Sequence, residues 1–218
     1  MLPDDTRRKI KNIVAGAVIE GEQDSCTAIR NLLCSRFATS TTVKTDFESK
    51  SVVKEEQRKL LIEYCSQHNL WAVDLPGKER FLARGGEALV YLHDDQRHVI
   101  KVNDGVYYAT WLEFFNSLLL HNLIFSNTAY ELVGFLKEDE TLFAVLKQPF
   151  VVSDKQVELG DIKKLLAFNG FENTRRNDYK QPELGLILED MHDENVLVKD
   201  DTLFFIDTVF YTVAPAIK

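Results

Sequence analysis

The chain has 218 residues, 45% hydrophobic and 28% charged, with a formal net charge of −8. That is enough for one well-buried domain, or one domain with an extension; no run approaches the roughly 20 consecutive apolar residues a membrane span needs. The acidic balance argues against nucleic-acid binding through phosphate contacts, although a nucleotide needs only a few local donors. The opening Met1-Leu2-Pro3-Asp4-Asp5 lacks the basic-then-apolar pattern of a signal peptide, and Cys26, Cys34 and Cys65 form no CxxC pair. Reduced cysteines in a cytoplasmic protein, with no membrane and no nucleic-acid partner, are the expectation.

Residues 1–74 read as a helical region. Asp24 and Ser25 are good caps for Thr27 to Phe37, where Ile29, Leu32, Leu33 and Phe37 recur at helical spacing. Ala38 to Val43 reads as a polar connection, and a second helix is expected from Val53 to Asn69, with Leu60, Leu61 and Tyr64 on one face.

Residues 75–149 change to strand patterning. Arg80 to Arg84 and Ala88 to Leu92 flank a Gly-Gly pair, and His98 to Val102 follows the turn Asp94-Asp95-Gln96. Trp111, Leu112, Phe115, Leu118 and Leu119 predict a helix from Val106 to Leu123. Two strands, Tyr130 to Leu136 and Thr141 to Leu146, close the segment around a Lys137–Glu140 turn. In residues 150–218 a helix is predicted at Leu159 to Phe168, then a polar, basic loop from Asn173 to Asp178. Gly185 to Glu189 is a further apolar run, and Asn195–Val198 with Leu203–Ile206 reads as a hairpin.

The chemistry-bearing stretch is Leu188-Glu189-Asp190-Met191-His192-Asp193-Glu194-Asn195, immediately before an apolar strand, with Asp207 following the next strand. This D-x-x-x-x-N pattern with a later aspartate resembles the kinase catalytic loop and its metal-binding acid. Phosphoryl transfer needs hard oxygen ligands for Mg²⁺ or Mn²⁺, which Asn195 and Asp207 can supply, and a carboxylate to orient the acceptor hydroxyl and take its proton, here Asp190. His192 places the loop nearer to the aminoglycoside phosphotransferase pattern, with a role in contacting phosphate or orienting the loop. A His-Asp phosphohydrolase built on His192, Asp193, His121 and Asp207 is disfavoured, because that family sets its His-Asp pair in a helix and here a strand-like run follows.

A kinase also requires a glycine-rich turn and a strand lysine. In Ala83–Val90 only Gly85 matches a motif glycine, Ala83 and Ala88 replacing the outer two while Gly86 restores flexibility for backbone amides to approach phosphate, and Lys101 in Val99-Ile100-Lys101-Val102 matches the second. Glu113 is the best helix carboxylate to pair with Lys101, and Gln148 with Pro149 falls where the adenine-binding hinge belongs. With Leu119–Asn122, Thr128–Leu132 and Lys147–Phe150, the chain resembles the small kinase domain of polyvalent proteins from phages and conjugative elements, over roughly residues 75 to 210. The resemblance implies an α+β, bilobal kinase-like fold with a five-stranded antiparallel N-lobe, a reduced C-lobe and the helical extension. It also implies ATP with a divalent metal, and transfer of the γ-phosphate to a hydroxyl on a protein or small molecule. Leu188 and Glu189 replace the loop's His-Arg pair and Thr208-Val209 replaces Phe-Gly. Only 11 residues follow Asp207, so control by a phosphorylated activation loop is not expected. The competing reading is a kinase-derived module that binds nucleotide or partners without catalysis.

Overall fold

The computed structural model describes residues 2–21, 24–41, 47–86 and 88–213. In chain order the elements are helices α1 (Asp4–Val14), α2 (Ser25–Thr41) and α3 (Phe47–His68), then strands β1 (Phe81–Arg84), β2 (Ala88–Leu92) and β3 (His98–Asn103). Helix α4 (Trp111–Ile124) leads to β4 (Glu131–Glu138) and β5 (Thr141–Pro149). Helix α5 (Leu159–Phe168) is followed by β6 (Glu172–Arg175), β7 (Asp178–Gln181), β8 (Leu186–Glu189), β9 (Val196–Lys199), β10 (Thr202–Phe205) and β11 (Val209–Thr212). Two compact units emerge: one comprises Glu22–Phe115 and Tyr130–Phe150, the other Met1–Gly21, Asn116–Ala129 and Val151–Lys218. No helix among the described residues is long and apolar enough to cross a membrane.

The first unit holds a five-stranded antiparallel sheet in the order β1-β2-β3-β5-β4. Alternation along β3 puts Ile100 and Val102 on one face, where with Val145 they pack against Ala72, Leu75, Leu136 and Phe143. Lys101 therefore faces the other way. Strand β4 lies at the sheet edge and carries Gly134, where a Cβ would stand 2.6 Å from the Leu70 carbonyl oxygen. Its missing side chain lets residues 70–72 run alongside: Phe135 N–H donates to Leu70 O at 2.9 Å and Ala72 N–H to Phe135 O at 2.8 Å. The edge is thereby covered.

Asp24 starts α2 as expected, accepting from the Thr27 amide at 2.9 Å and hydroxyl at 2.6 Å. The helix, however, runs on through Ala38–Thr41, residues that read as a connection in the sequence; Thr42 and Val43 lie outside the described residues, as does Glu87 of the glycine-rich turn. In α3 the buried line is Gln57, Leu61 and Cys65, with Leu60 and Tyr64 only half-buried. The helix ends on Asn69 at φ 52°, with Leu70 N–H returning to Cys65 O at 3.0 Å, a left-handed C-terminal cap. All three cysteines are buried and stand outside any disulfide; burial pushes the Cys26 and Cys65 thiols up to about 12, with Asp24 adding to the rise at Cys26.

Val106–Thr110 is a loop rather than the start of α4. The Asn103 side chain accepts Gly105 N–H at 2.6 Å and Asp104 accepts Val106 N–H at 2.9 Å, turning the chain before Thr110 caps the helix. Lys54 of α3 holds this loop, donating to Gly105 O at 2.7 Å and Tyr108 O at 2.8 Å, and stands 6.0 Å from the Trp111 ring centroid. Gln57, fully buried, accepts Leu112 N–H at 3.1 Å. Lys54→Met strands two carbonyls and is expected to lower stability by about 2 kcal/mol, read as an earlier midpoint in urea unfolding, with Lys54→Arg recovering part of it.

The second unit contains a four-stranded sheet, β11-β8-β7-β6, and the two-stranded β9–β10 hairpin, joined through an Asp200-Asp201 turn with φ 48° and 56°. Residues 173–178, read as a loop, are mostly the β6–β7 hairpin, which turns at Arg176 (φ 46°). Gly185, at φ 66°, brings the start of β8 against the chain after β11, where Val213 N–H donates to Gly185 O at 2.9 Å and a Cβ would meet Val213 O at 2.8 Å. Phe205 stacks on Phe125 at 4.0 Å, and Phe210 N–H donates to the Ser117 hydroxyl at 2.9 Å, fixing the C-terminal strands to the second half of α4.

Candidate active site

Asp190 follows β8 directly and adopts the left-handed conformation, φ 64°. Its amide donates to Asp178 Oδ1 at 3.2 Å, and the next amide, Met191 N–H, donates to Asn177 O at 2.9 Å. The turn between β6 and β7 is thus the support on which the loop rests. The Asp190 side chain is 65% exposed, so its carboxylate is open to solvent.

Within the loop, Asn195 reaches back. Its Nδ2 donates to the Asp190 carbonyl at 2.9 Å, closing the turn and leaving Oδ1 as the acceptor atom of that side chain. His192 Nδ1 accepts Glu194 N–H at 3.2 Å, so a neutral ring carries its proton on Nε2, which lies 3.4 Å from Asp190 Oδ1. Ile206 N–H donates to Asn195 O at 3.0 Å, extending the β9–β10 ladder by one pair. Half-buried Asp207 comes next, so Asn195 and Asp207 stand at the same end of one hairpin. Asp190, His192 and Asn195 are brought together in this loop, and Asp207 follows Ile206, the residue bonded to Asn195.

Partial burial raises the Glu189 carboxyl above its ordinary value, and the carboxylates of Asp178 and Asp190 add to the rise. A folded value above the unfolded one contributes stability at pH below the unfolded value, lost as pH climbs through the folded one. Ionised Glu189 thus weakens the fold at neutral pH. Glu189→Gln should raise Tm at pH 7 and leave it unchanged near pH 3, well under the ordinary glutamate value of about 4.3; thermal unfolding at the two pH values checks this.

Asp207 is flanked by a buried polar network that the sequence did not announce. Fully buried His121, on α4, lies 2.9 Å from Thr128 O through Nε2 and 2.8 Å from Thr208 Oγ1 through Nδ1. A carbonyl only accepts, so Nε2 carries the proton and Nδ1 accepts from the Thr208 hydroxyl. Thr128 Oγ1 in turn donates to Phe205 O at 2.5 Å. Both ring nitrogens are engaged, which removes His121 as a metal ligand. Its place in Leu119–Asn122 was visible, its partners 7 and 87 residues away were not.

In the other unit, Lys101 is buried on β3 with Nζ 3.4 Å from Tyr130 Oη and 5.3 Å from that ring's centroid. Gly85 N–H donates to Ala88 O at 2.8 Å, closing the β1–β2 turn, and a Cβ on Gly86 would run into the Tyr107 hydroxyl. Glu113 Oε2 accepts Ala109 N–H at 3.1 Å while its own amide donates to Thr110 Oγ1 at 3.1 Å, a capping arrangement at the start of α4. Gln148 is buried on β5 opposite Val99.

Among the described residues, no three or more His, Cys, Asp or Glu side chains gather as a metal cluster. Asn195 Oδ1 and the Asp207 carboxylate are hard oxygen donors, the set that suits Mg²⁺ or Mn²⁺ completing its shell with phosphate oxygens and water rather than with an all-protein cage.

The model of a family described as serine/threonine/tyrosine kinases found in polyvalent proteins matches residues 54–214. The match begins at Lys54, so it takes in most of α3 as well as the five-stranded sheet, α4 and the 190–195 loop. No curated protein and no solved structure matches the chain.

Proposed function

The chain belongs to the family of serine/threonine/tyrosine kinases found in polyvalent proteins, and from that membership we propose that it transfers the γ-phosphate of ATP to an alcohol, with Asp190 as the base. The observation that carries this reading is the closed loop in which Asn195 is tied to the Asp190 carbonyl while Asp207 stands at the same hairpin end. Asp190 orients the acceptor hydroxyl and takes its proton as the new O–P bond forms and the bond to ADP breaks. His192, with Nε2 toward Asp190 Oδ1, holds that carboxylate in one rotamer. Asn195 and Asp207 hold the divalent metal, which neutralises phosphate charge when bound. Lys101 contacts the α- and β-phosphates, Glu113 steadies that lysine, the amides of Gly85 and Gly86 approach phosphate, and the backbone at Gln148 receives adenine. In this reading the five-stranded sheet is the N-lobe and the C-terminal sheet and hairpin form a reduced C-lobe.

Saturating Mg-ATP is expected to raise Tm by about 5 °C or more, since a ligand at a hundred times its Kd adds about 2.7 kcal/mol. Asp207→Ala should remove most of that shift and the transfer of γ-phosphate to protein hydroxyls. A shift without any transfer would mean a nucleotide-binding module; neither shift nor transfer would sink the assignment.

A further inference from the structure

Besides the catalytic loop, the C-terminal unit carries a groove of about 530 Å³, lined by Asp178, Lys180, Pro182, Ile187, Glu189 and Val213 among others. Register explains its chemistry. Lys180 pairs opposite Ile187, while Tyr179 and Gln181 pair opposite Leu188 and Leu186. Alternation puts the buried Tyr179, Gln181, Leu186 and Leu188 on one face of the sheet and Asp178, Lys180, Ile187 and Glu189 on the other. We propose that this groove docks the phosphate acceptor, and that the acceptor is an extended peptide with an aliphatic and a basic residue flanking its hydroxyl. The proposal rests on the kinase reading above and assigns the substrate class of the same site.

Three features carry it. The groove is continuous with the loop: Glu189 precedes Asp190, and Asp178 holds the Asp190 amide. Strand β8 spans roughly 10 Å at about 3.3 Å per residue, room for about three extended residues, and the volume is that of a binding pocket rather than a surface dimple. Finally, the groove is graded. Pro182, Ile187 and Val213 give aliphatic surface for an apolar side chain, which a sugar-like acceptor would leave unsatisfied. The end beside the loop carries carboxylates. Lys180 is already paired with Glu172 at 3.1 Å; Arg175, which also lines the groove, stands across the ladder from Asp178 without an ion pair to it. Glu189 has no cationic partner among the described residues, and its neighbours Asp178 and Asp190 repel its charge. A lysine or arginine of the acceptor relieves that repulsion.

The test is fluorescence anisotropy on the full chain with a labelled heptapeptide holding a central serine, isoleucines beside it and arginines outside them. Ile187→Lys and Glu189→Gln should each weaken binding at least tenfold, while the Tm shift produced by Mg-ATP stays as in the parent protein. Ile187→Thr, a smaller change, keeps the test valid if the lysine variant folds poorly, and should weaken binding severalfold. Equal binding by parent and variants, equal binding of the same peptide with aspartates for arginines, or self-association of the chain that Ile187→Lys abolishes would each overturn the proposal. Groove-dependent binding without phosphate transfer would support the docking site and sink the kinase reading; transfer indifferent to Ile187→Lys would do the reverse.

Discussion

Asp190→Asn is expected to cut phosphate transfer by about a thousandfold, within the range a positioned general base contributes, while the Mg-ATP shift in Tm remains. Asparagine matches aspartate in size, so the loss isolates the proton acceptor from the shape of the loop. The Asp178 contact to the main-chain amide and the Asn195 contact to the main-chain carbonyl involve no atom of the replaced side chain. A single-turnover assay gives the rate, and thermal unfolding with and without nucleotide gives the binding. A variant that transfers phosphate at the parental rate would remove Asp190 from the chemistry.

His121→Leu should produce the largest loss of stability among conservative-volume changes, about 3 kcal/mol, because it leaves a buried hydroxyl and a buried carbonyl without their shared partner. The measurement is the free energy of urea unfolding. A second readout separates packing from function: Thr208 adjoins Asp207, so affinity for Mn²⁺, followed by the metal's relaxation effect on water, should fall in His121→Leu and stay near the parental value in Thr208→Ser, which keeps the hydroxyl. Unchanged stability would mean that the ring's two hydrogen bonds contribute nothing net.

The succession of three strands, a helix and two strands in the N-terminal unit was legible because each strand of β2 to β5 is a run of apolar residues bounded by turn residues, and because the helix between them has a clear apolar repeat. Helix α5 was legible for the same reason. The C-terminal strands were less so. Strand β6 is Glu172-Asn173-Thr174-Arg175, exposed along its whole length, and only its pairing with β7 makes it a strand; β11 likewise has no turn signal to announce it. In α2, Ala38 to Thr41 looked like a linker because serine and threonine have weak helical preference, yet the helix persists through them. Before α4 the error ran the other way: the helix signalled by Trp111, Leu112 and Phe115 was expected to start at Val106, but the side chains of Asn103 and Asp104 bind the backbone ahead of them and hold a turn. The contacts within the 190–195 loop are between near neighbours in sequence, so its spacing was open to reading. Asp178, His121 and Thr208 could not, since each acts on partners brought near only by the fold.

The backbone at Asp190 constrains what can occupy that position. A positive φ disfavours side chains other than those of glycine, asparagine and aspartate by roughly 1–2 kcal/mol, so lengthening the acid to glutamate would strain the very turn that aims it. The support of the loop lies instead in Asn177 of the β6–β7 bend and Asp178 at the start of β7. A change at Asn177 that shifts this bend would retune which alcohols are accepted without touching a single ionisable group, and directed evolution of acceptor choice has its natural starting point there.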